Sequence, residues 1–198
     1  MLRAVLLPLL LFAQGPFPHR LDHAPTPEKR LPETMPGGIA VLDFDADGWP
    51  DLFFTNAAAP SRLYRNLQGK GWQDVTAQSR LLTNGYTMGA AAADFDADGF
   101  PDLFVTGLKQ NWLFRNLGNG SFSSLPFPST GWSVSAGWFD YDHDGDLDLF
   151  IVNYVQPQPA SEPFCGDAKA GYRTYCHPRY YQRLPNSLLR THRPKGFT

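Results

Sequence analysis

The sequence predicts an all-β fold assembled from repeated four-stranded units, and three observations predict it. Glycine and proline number 18 each among 198 residues, a punctuation too frequent for long helices and suited to short strands joined by turns. An acidic window recurs three times, as DFDADGWPD over 43–51, DFDADGFPD over 94–102 and DYDHDGDLD over 140–148, at offsets of 51 and 46 residues. Each window runs directly into an apolar stretch, at 52–55, 103–106 and 149–152. Self-similarity at such a period is the signature of a repeat architecture.

Composition narrows the function classes. With 42% hydrophobic and 14% aromatic residues the chain can build a core, which excludes a disordered chain. The formal net charge is only -2, yet 13 of the 16 aspartates fall in the three windows. Acid concentrated in this way excludes a nucleic-acid binder, whose footprint would be a basic face.

Taken in order, the chain opens on Arg3, the apolar run 4–12 and the small residues Ala13 and Gly15. This pattern predicts a signal peptide over 1–15 and export to the periplasm, cell surface or medium. Nine apolar residues are too few to span a bilayer, which takes about 20, so no membrane span is expected. A Pro-rich linker follows over 16–36, and the repeats occupy 37–198: units at about 37–84, 85–131 and 132–198.

Each unit begins with a short strand, at 39–42, 90–93 and 136–139. Ala40, Ala91 and Gly137 stand three residues before the first Asp of each window. Side chains this small suit the innermost, most crowded strand of a radial array. The strand after each window is apolar on both faces and belongs between two packed layers. A third strand carries Leu63-Tyr64-Arg65-Asn66, Leu113-Phe114-Arg115-Asn116 and Leu188-Leu189-Arg190-Thr191, and an aromatic follows nine residues after each leading Leu: Trp72, Phe122 and Phe197. Turn residues between them, including Asn119-Gly120, predict a hairpin. The hairpin also accounts for the sequon at Asn119. Four antiparallel strands at this period describe a β-propeller blade.

The third unit carries an insertion over 156–185 with Cys165, Cys176, Tyr172, Tyr175, Tyr180 and Tyr181. In an exported chain the two cysteines are most simply a local disulfide. A metal set with His177 offers only three ligands and matches no familiar spacing. The tyrosines serve either as a contact surface or as packing within the loop.

Carboxylates at positions 1, 3, 5 and 9 of a window, with Gly at 6, place hard oxygen donors around one point. The candidate ligands are Asp43, Asp45, Asp47 and Asp51, then Asp94, Asp96, Asp98 and Asp102, then Asp140, Asp142, Asp144 and Asp148. The position-7 carbonyls of Trp49, Phe100 and Asp146 complete the three sets. Oxygen-rich, flexible coordination suits Ca2+, about three ions in all, better than the stricter octahedron of Mg2+. An EF-hand would need Glu at position 12, where Phe54, Val105 and Ile151 stand. The side chains of His143 and Asp146 are read as facing solvent.

These windows, with LYRNL and LFRNLGNGSF behind them, resemble the FG-GAP/VCBS repeats of integrin-alpha-like β-propellers. The fuller pattern, with DVTAQSRLL between repeats and a cysteine-bearing insertion before LPNSLLR, resembles bacterial relatives of cartilage acidic protein that end in an ASPIC/UnbV domain. The resemblance covers about 36–198 and implies a seven-bladed, calcium-loaded propeller on an exported protein, by residue match with the twelve aspartates just named as ligands. Two departures stand out: Thr191 replaces the Asn of the other repeats, and no fourth window follows. Three blades cannot close a ring, so the chain reads as an N-terminal fragment of a longer protein, whose partners include the missing C-terminal blades, or as a truncated reading frame.

The leading functional expectation is a non-catalytic, calcium-stabilised scaffold for adhesion or recognition of protein or carbohydrate. The alternative is the N-terminal part of a propeller-based polysaccharide-processing enzyme, with His177, Arg173, Arg179 and Glu162 as its few candidate groups. A third reading is an assembly module that self-associates through blade edges.

Overall fold

The computed structural model describes residues 17–57, 59–128, 131–157, 162–167, 169, 171–192 and 196–197; the expected signal peptide lies outside them. In the first blade β1 (Ile39–Leu42), β2 (Asp51–Phe54), β3 (Arg62–Asn66) and β4 (Trp72–Asp74) form one antiparallel sheet in chain order. The second blade repeats it with β5 (Thr87–Ala93), β6 (Asp102–Gly107), β7 (Trp112–Asn116) and β8 (Phe122–Leu125). In the third, β9 (Ser133–Phe139), β10 (Asp148–Asn153) and β11 (Ser187–Leu189) pair. After Arg190 the outer course resumes as β12 (Thr191–His192), paired with β13 (Gly196–Phe197). The chain is therefore all-β and built as a partial propeller. One register recurs: Leu42 pairs with Asp51, Ala93 with Asp102 and Phe139 with Asp148. Each acidic loop thus closes the hairpin between the inner and second strands.

The expectation that the second strand lies between two layers is met most fully by β6, which is buried along its whole length. Leu103 and Val105 pack with Phe53, Leu63 and Leu42 of the first blade. Phe104, pointing the other way as strand alternation requires, packs with Leu149, Ile151 and Trp138 of the third. Blade-on-blade burial of this kind is the main apolar contribution to stability.

The crowded point of the inner strands differs from the expectation. It falls at Gly38 and Gly89, two residues upstream of Ala40 and Ala91. A Cβ on Gly38 would sit 2.5 Å from the Met88 carbonyl oxygen, and one on Gly89 2.7 Å from that of Val134. Around Gly137 a Cβ would meet nothing within 4 Å. The cause is direct backbone contact between neighbouring blades: the Gly38 N–H donates to Met88 O at 2.8 Å. Thr55 and Thr106 brace these points, their Oγ1 atoms accepting from the N–H of Gly38 at 2.6 Å and of Gly89 at 2.8 Å.

Between the first two blades lies a short helix, α1 (Thr76–Ser79). Asp74 starts it by accepting from the Thr76 N–H at 3.0 Å and the Thr76 hydroxyl at 2.6 Å. Arg80, with φ of 61°, ends it. The Pro-rich tract, read from sequence as a linker, packs on the blades where it is described. Phe17 sits against the rings of Phe54, Tyr64 and Trp72, and His19 stacks on Phe54 at 4.5 Å. Further along, Leu31 joins a core of Trp132, Val155, Cys176 and Tyr181.

That last core also anchors the insertion. Cys165 and Cys176 form a disulfide, a closure that stabilises a small loop chiefly by restricting its unfolded state. Gln156 and Leu184 tie its ends together through backbone hydrogen bonds to Gln182 and Tyr154. Two of the tyrosines make hydrogen bonds to glutamates and two lie on the surface. Tyr181 is buried and donates to Glu162 at 2.7 Å, and Tyr175 donates to Glu33 at 3.0 Å. Tyr172 and Tyr180 are exposed, under Lys169 and Arg179 respectively.

Candidate metal centres

The three acidic loops share one geometry. The position-1 carboxylate accepts two backbone N–H groups, from positions 5 and 6. Asp43 takes those of Asp47 (3.1 Å) and Gly48 (2.8 Å), Asp94 those of Asp98 (3.0 Å) and Gly99 (2.9 Å), and Asp140 those of Asp144 (3.2 Å) and Gly145 (3.0 Å). The position-5 carboxylates of Asp47, Asp98 and Asp144 accept in turn from Trp49, Phe100 and Asp146. Turning the chain this tightly uses the left-handed region twice. Gly48, Gly99 and Gly145 stand at φ of 85°, 93° and 87°, as expected, but Ala46, Ala97 and His143 also stand at 56°, 58° and 61°.

The position-9 carboxylates are fully buried. Each bridges the start of its loop to the third strand. Asp51 accepts from Phe44 N–H (3.1 Å) and Asn66 N–H (2.7 Å), Asp102 from Phe95 (3.1 Å) and Asn116 (2.7 Å), and Asp148 from Tyr141 (3.2 Å) and Thr191 (2.8 Å). The departure at Thr191 therefore changes little. Its Oγ1 donates to Leu147 O at 2.6 Å, where Asn66 and Asn116 reach Pro50 O and Pro101 O through their amides.

One oxygen each of Asp43, Asp45 and Asp51 lies within 4.8 Å of the others, and so do those of Asp94, Asp96 and Asp102 and of Asp140, Asp142 and Asp148. Three carboxylate oxygens this close together could share one metal ion. Positions 1, 3 and 9 of every window are thus brought together as expected. The position-5 carboxylates are drawn towards a group that the motif reading passed over, an arginine of the third strand.

Arg65 lies 2.6 Å from Asp45 Oδ2 and 2.9 Å from Asp47 Oδ2. Arg115 lies 2.5 Å and 3.1 Å from Asp96 and Asp98, and Arg190 2.7 Å and 2.8 Å from Asp142 and Asp144. The guanidinium spans positions 3 and 5 from outside and fixes their planes. The opposite oxygens, Asp45 Oδ1, Asp96 Oδ1 and Asp142 Oδ1, are buried without a hydrogen-bond partner among the described residues. A buried acceptor left unpaired costs about 1–3 kcal/mol, more when charged, and a cation at the cluster would satisfy all three. The clue in the sequence was the recurrence of Leu-x-Arg in every repeat.

Burial raises the proton affinity of four carboxylates of the first two loops. It pushes Asp51 up to about 6 and Asp102 up to about 7, against the opposing effect of their backbone N–H donors. Asp45 and Asp96 are raised by the same cause. Asp144, on the surface, is lowered by its hydrogen bond to Arg190. A carboxylate held up by desolvation is stabilised as an anion when a cation joins it.

Fold and site together define a repeat protein of propeller blades, each hinged on an aspartate-lined loop between its inner and second strands. A family model for the FG-GAP-like repeat matches the chain twice, over 43–105 and 94–151, together more than half of it, each match beginning on the first Asp of a window. The chain belongs to the FG-GAP-like repeat family. No curated protein matches it.

Proposed function

We propose that this chain is an exported, calcium-binding propeller scaffold, non-catalytic, with about three Ca2+ sites, that serves adhesion or recognition of a protein or carbohydrate ligand. The observation that carries the calcium reading is the unpartnered, buried Oδ1 of Asp45, Asp96 and Asp142, repeated in three loops whose carboxylates already converge. Asp43, Asp45 and Asp51 and their counterparts would hold the ion, with Asp47, Asp98 and Asp144 and the carbonyls of Trp49, Phe100 and Asp146 close behind. The ion would join the inner strand to the second strand of each blade and neutralise mutually repelling carboxylates.

The disulfide supports export, since such bonds persist in oxidising compartments, and no described helix is long and apolar enough to cross a membrane. Two of the groups named for an enzyme are engaged in the fold. His177 Nδ1 accepts from the Arg179 N–H, and Glu162 accepts from the Leu31 N–H and the Tyr181 hydroxyl.

Thermal melting with and without a calcium chelator tests the proposal. At free calcium 100 times Kd each site contributes about 2.7 kcal/mol, and about 1 kcal/mol moves the melting temperature of a chain this size by about 2–4 °C. Chelation should therefore lower the melting temperature by at least about 15 °C, reversed by calcium and poorly by magnesium. A melting curve unmoved by excess chelator would refute the reading.

A further inference from the structure

The disulfide-closed loop of the insertion turns one side to the core and the other outward. Gly166 pairs with Arg173 in an antiparallel bridge, and the Thr174 N–H donates to Cys165 O at 2.9 Å. Both pairings set one register, which places Phe164 opposite Tyr175. Opposite residues of an antiparallel pair project to the same side, and neighbours along each strand alternate. Cys165 and Cys176 therefore share the inner side, where both join the core around Trp132 and Val155. Phe164, Arg173 and Tyr175 share the outer side, where Phe164 is 55% and Tyr175 36% exposed.

Contacts along the outer side agree with this register. The Arg173 guanidinium lies over the Phe164 ring at 5.3 Å, and Lys29 Nζ, from the N-terminal tract, lies over the Tyr175 ring at 5.5 Å. The result is a row of cation, ring, ring and cation: Lys29, Tyr175, Phe164, Arg173. Neither cation forms an ion pair among the described residues. Of the carboxylates nearby, Glu33 is buried and accepts from the N–H and hydroxyl of Thr26 and from the Tyr175 hydroxyl. Glu28 is exposed, its carboxyl held below the usual range by its own backbone N–H first and also by the charges of Arg30 and Arg173. Lys29, Arg30 and Arg173 outnumber it, so the surface keeps a positive excess. Exposed rings offer an apolar plane that matches the C–H face of a sugar ring, and the cations offer charge-assisted hydrogen bonds to carboxylates. A polysaccharide carrying uronic acid residues repeats the complements of both contacts along its length.

We propose that this row binds a polysaccharide carrying uronic acid residues, its sugar rings stacked on Phe164 and Tyr175 and its carboxylates taken by Arg173 and Lys29. The inference rests on the scaffold reading above and names its ligand class and contact surface. A hyaluronan oligosaccharide, in which every second sugar is a glucuronate, is the probe, titrated into the full chain by calorimetry with calcium present. Binding should be saturable with Kd on the order of 0.1 mM, and weaker as salt rises. Phe164→Ser and Lys29→Gln, both outside the disulfide and the core, should each weaken it roughly fivefold and leave the melting temperature unchanged. Neutral dextran should not bind, and polyglutamate, which brings charge without sugar rings, should bind more weakly than hyaluronan. Polyglutamate binding as tightly would reveal a surface that reads charge alone. Hyaluronan binding unaltered in both variants would place recognition elsewhere on the scaffold. No saturable binding to a wild-type chain whose melting responds to calcium would leave the scaffold without this ligand. Each of these results overturns the inference, whereas the scaffold reading falls only with a melting curve unmoved by chelator.

Discussion

At the scale of single residues, three arginines decide how the acidic loops hold together. Each places a positive charge against the outer oxygens of positions 3 and 5 and leaves the inner oxygen of position 3 bare. The windows themselves were legible because their spacing is local: five residues of turn suffice to predict where the carboxylates converge. The arginines were not, because their role depends on a strand that folds back from elsewhere in the chain, across the whole insertion in the third repeat. Nor did Ala46, Ala97 and His143 announce a left-handed backbone, which glycine or asparagine would have done.

The same residues fix a pH dependence. In the cation-free fold Asp51 is held up to about 6 and Asp102 up to about 7 by burial, above their ordinary value of 3.8. The folded state then binds more protons than the unfolded one between about pH 4 and 7, so its stability falls as pH rises through that window. A cation bound at the loop would compete with those protons. Calorimetry should show the chelated protein melting lower at pH 7.5 than at pH 5, and the gain on adding calcium should be larger at pH 7.5. An equal gain at both values would contradict the assignment.

Among the elements, the inner strands carry the sharpest constraint. β1, β5 and β9 approach backbone to backbone near Gly38 and Gly89, whereas position 137 is open. Sequence alone gave the right strands and the right preference for small side chains but the wrong residues. Ala40 and Gly38 look equally small, and only the stagger between neighbouring blades tells them apart. Gly89→Ala should cost about 1–3 kcal/mol, the usual penalty for overpacking, while Gly137→Ala should stay within about 0.5 kcal/mol. Chemical denaturation of the two variants checks the pair, and equal effects would displace the crowded point again. α1 was missed for a related reason: four residues give no periodicity, and its start rests on one Asp–Thr pair.

For the molecule as a whole, the repeat of the windows, the two-faced second strands and the disulfide are all legible in the sequence. What pattern could not supply was the way the Pro-rich tract and the insertion close on each other through Glu33 and Glu162, since contacts so distant along the chain leave no local signature. About three divalent ions would add six positive charges to a formal net charge of -2, so the loaded protein should present a mildly cationic surface. Native mass spectrometry of the intact chain in calcium should find about three retained Ca2+ ions, and the triple variant Asp45→Asn/Asp96→Asn/Asp142→Asn, which removes charge at the bare oxygens, should retain none. A wild-type chain that retains no calcium, or a triple variant that retains as much as the wild type, would contradict the account.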